Sequence, residues 1–372
     1  MDTTQFLVRR DRLTEHEIEI APRGPLAPGD AELRVDLFGF TTNNVSYALR
    51  GDTMSYWKFF PAARPGWGRI PVWGFGTVVR TAAEGVSVGE RFYGYFPMAS
   101  HLVVQPRRID AAGFFDGALH RRELSPVYNH YLRTTRDPSY HPDTESQQVV
   151  LRPLFGTSFF VADYLREYGF FDAEVAVVSS ASSKLACGIA FALAAEARRD
   201  RRKIIGLTSE RNAAHVQRLG LFDQVALYSE VATLSSTRRA VFVDIAGSSA
   251  VRSAIHHHLG NALRHSIVVG ATHQDLAGSA AGLPGPEPVP FFVPIWIKQR
   301  NRQWTPEGVR RKLGEAWRGF LPQMMDPARG WMTIVPGSGT EAVARVYREV
   351  FAGRARPDQA HVLSLSRDGT PA

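Results

Sequence analysis

Cysteine is nearly absent: Cys187 is the only one in 372 residues. That excludes a disulfide framework within the chain and a zinc site built from several cysteines. Long apolar runs are missing too. None approaches the roughly 18 residues a membrane-spanning helix needs. The first twenty residues, MDTTQFLVRRDRLTEHEIEI, hold early acids and no apolar core. No secretory signal is therefore expected, and a cytoplasmic location is the simplest reading. Acidic charge is in deficit, with 44 Lys and Arg against 36 Asp and Glu, a formal net charge of +8. The basic residues cluster at Arg198, Arg199, Arg201, Arg202 and Lys203, and again over 298–318. No aromatic interleaving marks a nucleic-acid motif, so nucleic acid ranks last as a partner. An anionic small substrate or nucleotide explains the sign equally, and solvated faces account for most of these charges.

The last shortage is local. An apolar strand at 175–178 runs into the turn 179–183, which reads SSASS, and a helix begins near Lys184. A strand, tight turn and helix N-terminus aim free backbone N–H groups and the positive end of the helix dipole at one spot, the usual cradle for a dinucleotide pyrophosphate. Such turns are normally rich in glycine, and this one has none. Ser179, Ser180, Ser182, Ser183 and Lys184 can replace it with hydroxyl donors and one cation on phosphate oxygens. Equally, the serines can simply cap the helix. Lys184 stands where the helix dipole disfavours a cation, which a bound anion would compensate.

Two organisations follow each other along the chain. Residues 6–9, 17–20, 32–40, 75–80, 91–96 and 101–104 are β-rich and punctuated by Gly and Pro, as in a small β-barrel-like domain. Residues 106–148 are polar and read as a long surface excursion. From about residue 150 helices (158–168, 184–198, 211–219, 249–259) alternate with strands (174–178, 203–207, 224–227, 240–245, 265–269), which predicts a doubly wound parallel sheet. A proline-rich segment, 282–294, interrupts, and 304–317 and 340–351 read as helices. There is no internal repeat.

GFGTVVRTAAEGVSVGERFYGYF (74–96), LRVDLFGFTTNNVSYALRGD (33–52) and FGTSFFVADYL (155–165) occur in an order that resembles the medium-chain dehydrogenase/reductase superfamily. They match its Gly-rich hairpin with the following turn (Glu90 replacing the usual aspartate), its cleft-forming strand and first helix, and its interdomain helix. The resemblance implies a GroES-like β domain at 1–150, a Rossmann-like domain at 151–290, and a C-terminal part, about 290–372, packing back on the first. Zinc-dependent members carry a cysteine soon after the glycine matching Gly39; here Thr41 follows. The resemblance therefore points to the zinc-free, quinone-oxidoreductase-like side and to an uncharacterised bacterial branch. Its phosphate-turn glycines match Ser179, Ser182 and Leu185.

The end of the second Rossmann strand distinguishes NAD from NADP, because an acid there would hold the ribose hydroxyls. The chain reads Leu207-Thr208-Ser209-Glu210-Arg211. Thr208, Ser209 and Arg211 suit a 2′-phosphate and Glu210 weakens the case, so NADP(H) is preferred; an ordinary helix start explains Arg211 and Asn212 as well. The resemblance places Asp244 and Gly247 beside the nicotinamide ribose and Gly270 and Thr272 at its amide, although plain turn chemistry explains them too. It also implies a substrate cleft holding Asn43, Asn44, Tyr47, Tyr56, Trp57 and Trp73. Asn43, Tyr47 or Thr41 would donate to the oxygen on which charge develops. The run 56–60 can line an apolar pocket or pack the core, with Phe59 and Phe60 better suited to the core. His256, His257 and His258 cannot converge on one ion from a helix.

The expected function is NADP(H)-dependent, zinc-independent reduction of a quinone or an α,β-unsaturated carbonyl or enoyl thioester by hydride transfer. A non-catalytic nucleotide-binding or scaffold protein is the alternative that the missing glycines raise. A homodimer is expected, on the premise that apolar strand 265–269 lies uncovered at the sheet edge.

Overall fold

Aromatic and β-branched residues recur through Ala31–Phe40 and Pro71–Thr81, and these two segments pair antiparallel at the centre of a large sheet. The computed structural model describes residues 2–200, 202–269, 282–326 and 331–366. The chain divides into two compact units, Met1–Pro153 with Thr333–Ala372, and Leu154–Met332.

In chain order the first unit begins with β1 (Asp2–Arg9), β2 (His16–Pro22), β3 (Ala31–Phe40), α1 (Thr42–Leu49), β4 (Trp67–Gly68), β5 (Pro71–Thr81) and β6 (Arg91–Pro97). It continues through β7 (His101–Val104), β8 (Pro106–Asp110), β9 (Gly113–Asp116), β10 (His130–Arg133) and the start of α2 (Glu145–Glu167), and the division falls within that helix. After the second unit the chain returns to add two strands and a helix. Its core joins Phe6, Phe38, Phe40, Phe92 and Phe96 to an apolar stripe of the returning helix.

The polar segment 106–148, expected as an excursion over the surface, instead supplies β8, β9 and β10, which extend the sheet in the order β6-β10-β9-β8. Phe114 and Tyr131 stack inside at 5.1 Å, an apolar pair hidden among polar neighbours. Arg121 is fully buried there as well.

The second unit carries β11 (Val175–Val178), α3 (Lys184–Arg199), β12 (Lys203–Thr208), α4 (Glu210–Leu219) and β13 (Gln224–Leu227). Then come β14 (Ala240–Asp244), α5 (Ser249–Leu259), β15 (Leu263–Val269), β16 (Val289–Phe291) and α6 (Val293–Met325). All its strands are parallel, in the order β13-β12-β11-β14-β15-β16. Val175–Val178 is buried throughout, as a central parallel strand covered on both faces must be. The order reverses beside β11, so the carboxyl ends of β11 and β14 flank the topological switch point where such sheets bind ligands.

Three expectations are corrected here. Strand 265–269 is not the sheet edge: β16, from the proline-rich segment, pairs with it in parallel. Pro290 lacks an N–H, which an outermost strand tolerates. The premise for a dimer across β15 therefore falls. The helix expected at 158–168 starts earlier, at Glu145, and runs through Pro153. The helix expected at 304–317 spans Val293–Met325, with a break at Thr305, whose φ is +64°.

The returning segment of the first unit comprises β17 (Thr333–Ser338), α7 (Gly339–Phe351) and β18 (Gln359–Ser364), and β18 pairs with β3. In α7, Val343, Val346, Tyr347 and Val350 are buried at the i, i+3, i+4, i+7 spacing of one helix face.

Candidate functional site

The corner after β11 is held together from within. Ser179 donates its N–H to the Val243 carbonyl at 3.0 Å. Its Oγ lies 3.1 Å from Asp244 Oδ1 and accepts the Ile245 and Ala246 N–H groups at 2.8 and 2.9 Å. Asp244 is fully buried; it also accepts the Gly247 N–H at 3.0 Å and the Arg252 Nε–H at 3.0 Å. Ser179 and Asp244, expected to face a nucleotide, thus spend their side chains tying two strand ends together. Both groups are fully bonded before any ligand arrives.

Ser183 caps α3, its Oγ accepting the Ala186 N–H at 3.2 Å. Ser180 takes the left-handed φ of +53° that the turn requires, and donates its N–H to Tyr228 Oη at 2.9 Å. Ala181 packs closely against β12, where a glycine leaves room for it. A Cβ on Gly206 would lie 2.8 Å from Ala181 Cβ, so the close approach of turn and strand requires glycine there. Gly188 admits α2 in the same way: a Cβ there would lie 2.4 Å from Ser158 Oγ.

What faces outward is Ser182, Lys184 and Leu185, all half-buried at the start of α3. Among the described residues, the Ser182 and Leu185 N–H groups have no acceptor, and the helix dipole adds positive potential there. Ser182 Oγ accepts Asn212 Nδ2–H at 3.1 Å, which joins this corner to the β12–α4 turn. In that turn Thr208 is buried, Ser209 occupies the N-cap position of α4, and Arg211 is exposed. Gly247 has a φ of +64° after β14. Gly270 and Thr272 lie outside the described residues. Sequence reasoning missed Tyr228. The available signal was its position just after β13, because loops after parallel strands gather at one edge.

A second group of residues gathers within the first unit. Thr41 caps α1 by accepting the Asn43 N–H at 3.2 Å, and Asn44 Oδ1 accepts the Thr41 N–H at 2.8 Å. Asn44 also donates to the Pro71 carbonyl at 3.0 Å. This reciprocal capping box employs Thr41 in holding the start of α1. Trp57 belongs to the main core, where a Cβ on Gly51 or Gly68 would come within 2.0 or 2.6 Å of its ring.

Tyr47, Tyr56, Phe59, Phe60 and Tyr95 form a separate buried cluster against Trp73 and Tyr128. Tyr47 and Tyr56 lie 4.5 Å apart between ring centroids, and Tyr95 and Tyr128 4.8 Å apart. Burial raises the Tyr47 phenol above its usual range, partly offset by Trp73, Asn43 and Tyr95 around its hydroxyl. Burial likewise pushes up Tyr56, Tyr95 and Tyr128. These hydroxyls therefore stay protonated, as donors, well above neutral pH. Sequence reasoning missed Tyr95 and Tyr128. It also missed Arg121, which donates to the Tyr128 carbonyl at 2.6 Å and to Asp116, Asn129 and Tyr131 Oη.

The three consecutive histidines point apart. His256 contacts Ser266 Oγ and the Pro284 carbonyl, His257 contacts Ser253, and His258 the Leu234 carbonyl. Among the described residues, no group of three or more His, Cys, Asp or Glu is arranged to hold a metal ion. No helix among them is long and apolar enough to cross a membrane.

A family described as "Protein of unknown function (DUF2855)" matches residues 38–356. No curated protein matches the chain by sequence. Solved structures match over nearly its whole length. The quinone oxidoreductase from Coxiella burnetii is 11% identical, with 98% of this chain and 100% of that chain covered and a TM-score of 0.54. CurA from Vibrio vulnificus in complex with NADPH is 12% identical, with 94% of each chain covered and a TM-score of 0.56. The CurF ER cyclopropanase from the curacin A biosynthetic pathway is 13% identical, covering 97% of this chain and 99% of that one, with a TM-score of 0.56.

Proposed function

The chain belongs to the DUF2855 family and has the medium-chain dehydrogenase/reductase fold, and from that premise we propose that it is an NADPH-dependent, zinc-independent reductase. Its substrate would be a quinone or an α,β-unsaturated carbonyl or enoyl thioester. One observation carries the reading: the corner at the start of α3 turns outward two N–H groups that have no acceptor among the described residues, and it is joined through Asn212 to a turn bearing exposed Arg211. The donor set fits a dinucleotide. Ser182, Lys184 and Leu185 would hold the pyrophosphate, and Ser209 and Arg211 a 2′-phosphate.

NADPH, when bound, supplies a hydride to the substrate. The protein's own task is then positioning and electrostatics. Tyr47 and Asn43 donate hydrogen bonds to the substrate oxygen that gains charge, and the surrounding rings keep water away from it. Neither role needs a metal ligand, and the single cysteine is buried against Trp331, whose indole N–H points at its sulfur from 3.4 Å.

The protein should bind NADPH at least about tenfold more tightly than NADH, since 1.4 kcal/mol from one charge-assisted bond gives that ratio. Titration followed by nicotinamide fluorescence measures both constants, and equal affinities would remove the 2′-phosphate from the Arg211 turn. Lys184→Ala should weaken NADPH binding by about 1.5–3 kcal/mol, the range for a hydrogen bond to a charged group. Unchanged affinity in the folded variant would take Lys184 out of the cofactor site.

A non-catalytic nucleotide-binding or scaffold protein is the second reading. It is favoured by the bond from the Ser180 N–H to Tyr228 Oη, which occupies a donor that a glycine turn would offer to phosphate. NADPH binding with no oxidation in the presence of quinones or enoyl thioesters would select it.

A further inference from the structure

Val289, Pro290 and Phe291 form β16, the outer strand of the parallel sheet. It pairs with β15 on one side and, among the described residues, with no strand on the other. In a parallel ladder the N–H and C=O of one residue point to the same side, and successive residues alternate sides. Pro290 lies opposite Val268 and has no N–H to give β15. The donors to β15 must therefore come from Val289 and Phe291, and Pro290 is turned outward. Glu287 and Val289 each precede a proline and are thereby held extended. The alternation thus runs back one step and turns Pro288 outward as well. The outer positions are then 288, 290 and 292. The first two carry no N–H, and the carbonyl of Phe292 already accepts the Ile295 N–H at 3.1 Å.

The side chains around this edge are of the kind that invites association. Val289 is 39% exposed, Tyr168 49% and Ile295, at the start of α6, 69%. Tyr168 lies beside Trp296, with ring centroids 6.3 Å apart. An apolar edge with free backbone donors would template a further strand. Here the side chains permit it and the backbone does not. We propose that Pro288 and Pro290 close the outer edge of β16 to strand addition, whether by a second copy of this chain or by another extended segment. The sheet then ends at its six strands, and copies that associate do so through another surface. This holds whatever the corner after β11 binds.

Restoring the donors in the full chain is the test. The double variant Pro288→Thr, Pro290→Thr returns two outward N–H groups through a residue at home in strands and only weakly apolar. By sedimentation equilibrium across micromolar concentrations its mass should rise to twice that of wild type. Hydrogen exchange at the restored amides of 288 and 290 should slow by about tenfold in the associated form, as bonded amides do. Pro290→Thr alone should show the same effect more weakly. Wild type supplies a test that leaves the prolines untouched: exchange of its Phe292 amide should not change with protein concentration. A double variant that keeps the wild-type mass would overturn the closed edge. So would a doubled mass with no slowing at 288 and 290, or a wild-type Phe292 amide whose exchange slows as concentration rises.

Discussion

Arg121→Met should destabilise the protein by about 3–5 kcal/mol, the range for breaking a buried ion pair by removing one partner. The arginine is fully buried and meets Asp116 at 2.9 Å. Asp116 is buried too, and its other oxygen accepts the Gln105 and Ala118 N–H groups at 3.0 Å each. Methionine fills much of the volume but leaves that carboxylate without its countercharge. It also frees the Tyr128 carbonyl and Asn129 Oδ1 from their donors. The guanidinium further lies 4.8 Å from the Phe60 ring centroid, so the loop carrying Tyr128 would loosen over the aromatic cluster. Lysine cannot restore this, because the site uses a planar fork with several donors. Urea unfolding measures the loss. The double variant Asp116→Asn, Arg121→Met should recover part of it, since no lone charge is then buried. A loss under about 1 kcal/mol for the single variant would show that Asp116 finds water or another donor.

Arg252→Met should cost a similar amount, about 3–5 kcal/mol, within the second unit. Arg252 and Asp244 are almost wholly buried, with Nε 3.0 Å from Oδ2. Asp244 Oδ1 in turn meets Ser179 Oγ and the Gly247 N–H. Without Arg252 the carboxylate stays buried and must draw on those two donors alone. The turns after β11 and β14 are joined through this network, so NADPH affinity should fall together with stability. Asp244→Asn in the same chain should restore more stability than affinity, because asparagine cannot reproduce both acceptor oxygens. Denaturant unfolding and nicotinamide fluorescence on the three variants test this. Normal stability in Arg252→Met would mean that the corner does not depend on the buried pair.

The architecture was legible because it is written in local pattern. The apolar run 175–178, bounded by small residues and followed by helical spacing, marks a buried parallel strand and the corner after it. The stripe Val343, Val346, Tyr347, Val350 marks one helix face just as directly. The segment 106–148 was misread because its strands are short and carry arginines and histidines outward, which hides the inward Phe114 and Tyr131. The strand Val289–Phe291 was hidden by Pro290, which speaks against a strand everywhere except at an edge.

Composition and periodicity alone determined the α/β class, the order of a β-rich part before a strand–helix alternation, and the small-residue turn between β11 and α3. Which side chains of that turn face outward was decided only by tertiary structure. Ser179 and Ser182 are the same residue type three positions apart. One is sealed by Asp244 and two N–H groups from beyond β14, the other is left outward beside Asn212. Trp57 and Trp73 are equally aromatic and equally placed in β-rich sequence. Trp57 disappears into the core because Gly51 and Gly68 leave room for its ring, while Trp73 meets Tyr95 across a ladder. In each case the deciding partner comes from elsewhere in the chain, and local spacing carries no record of which distant residue will be brought against it.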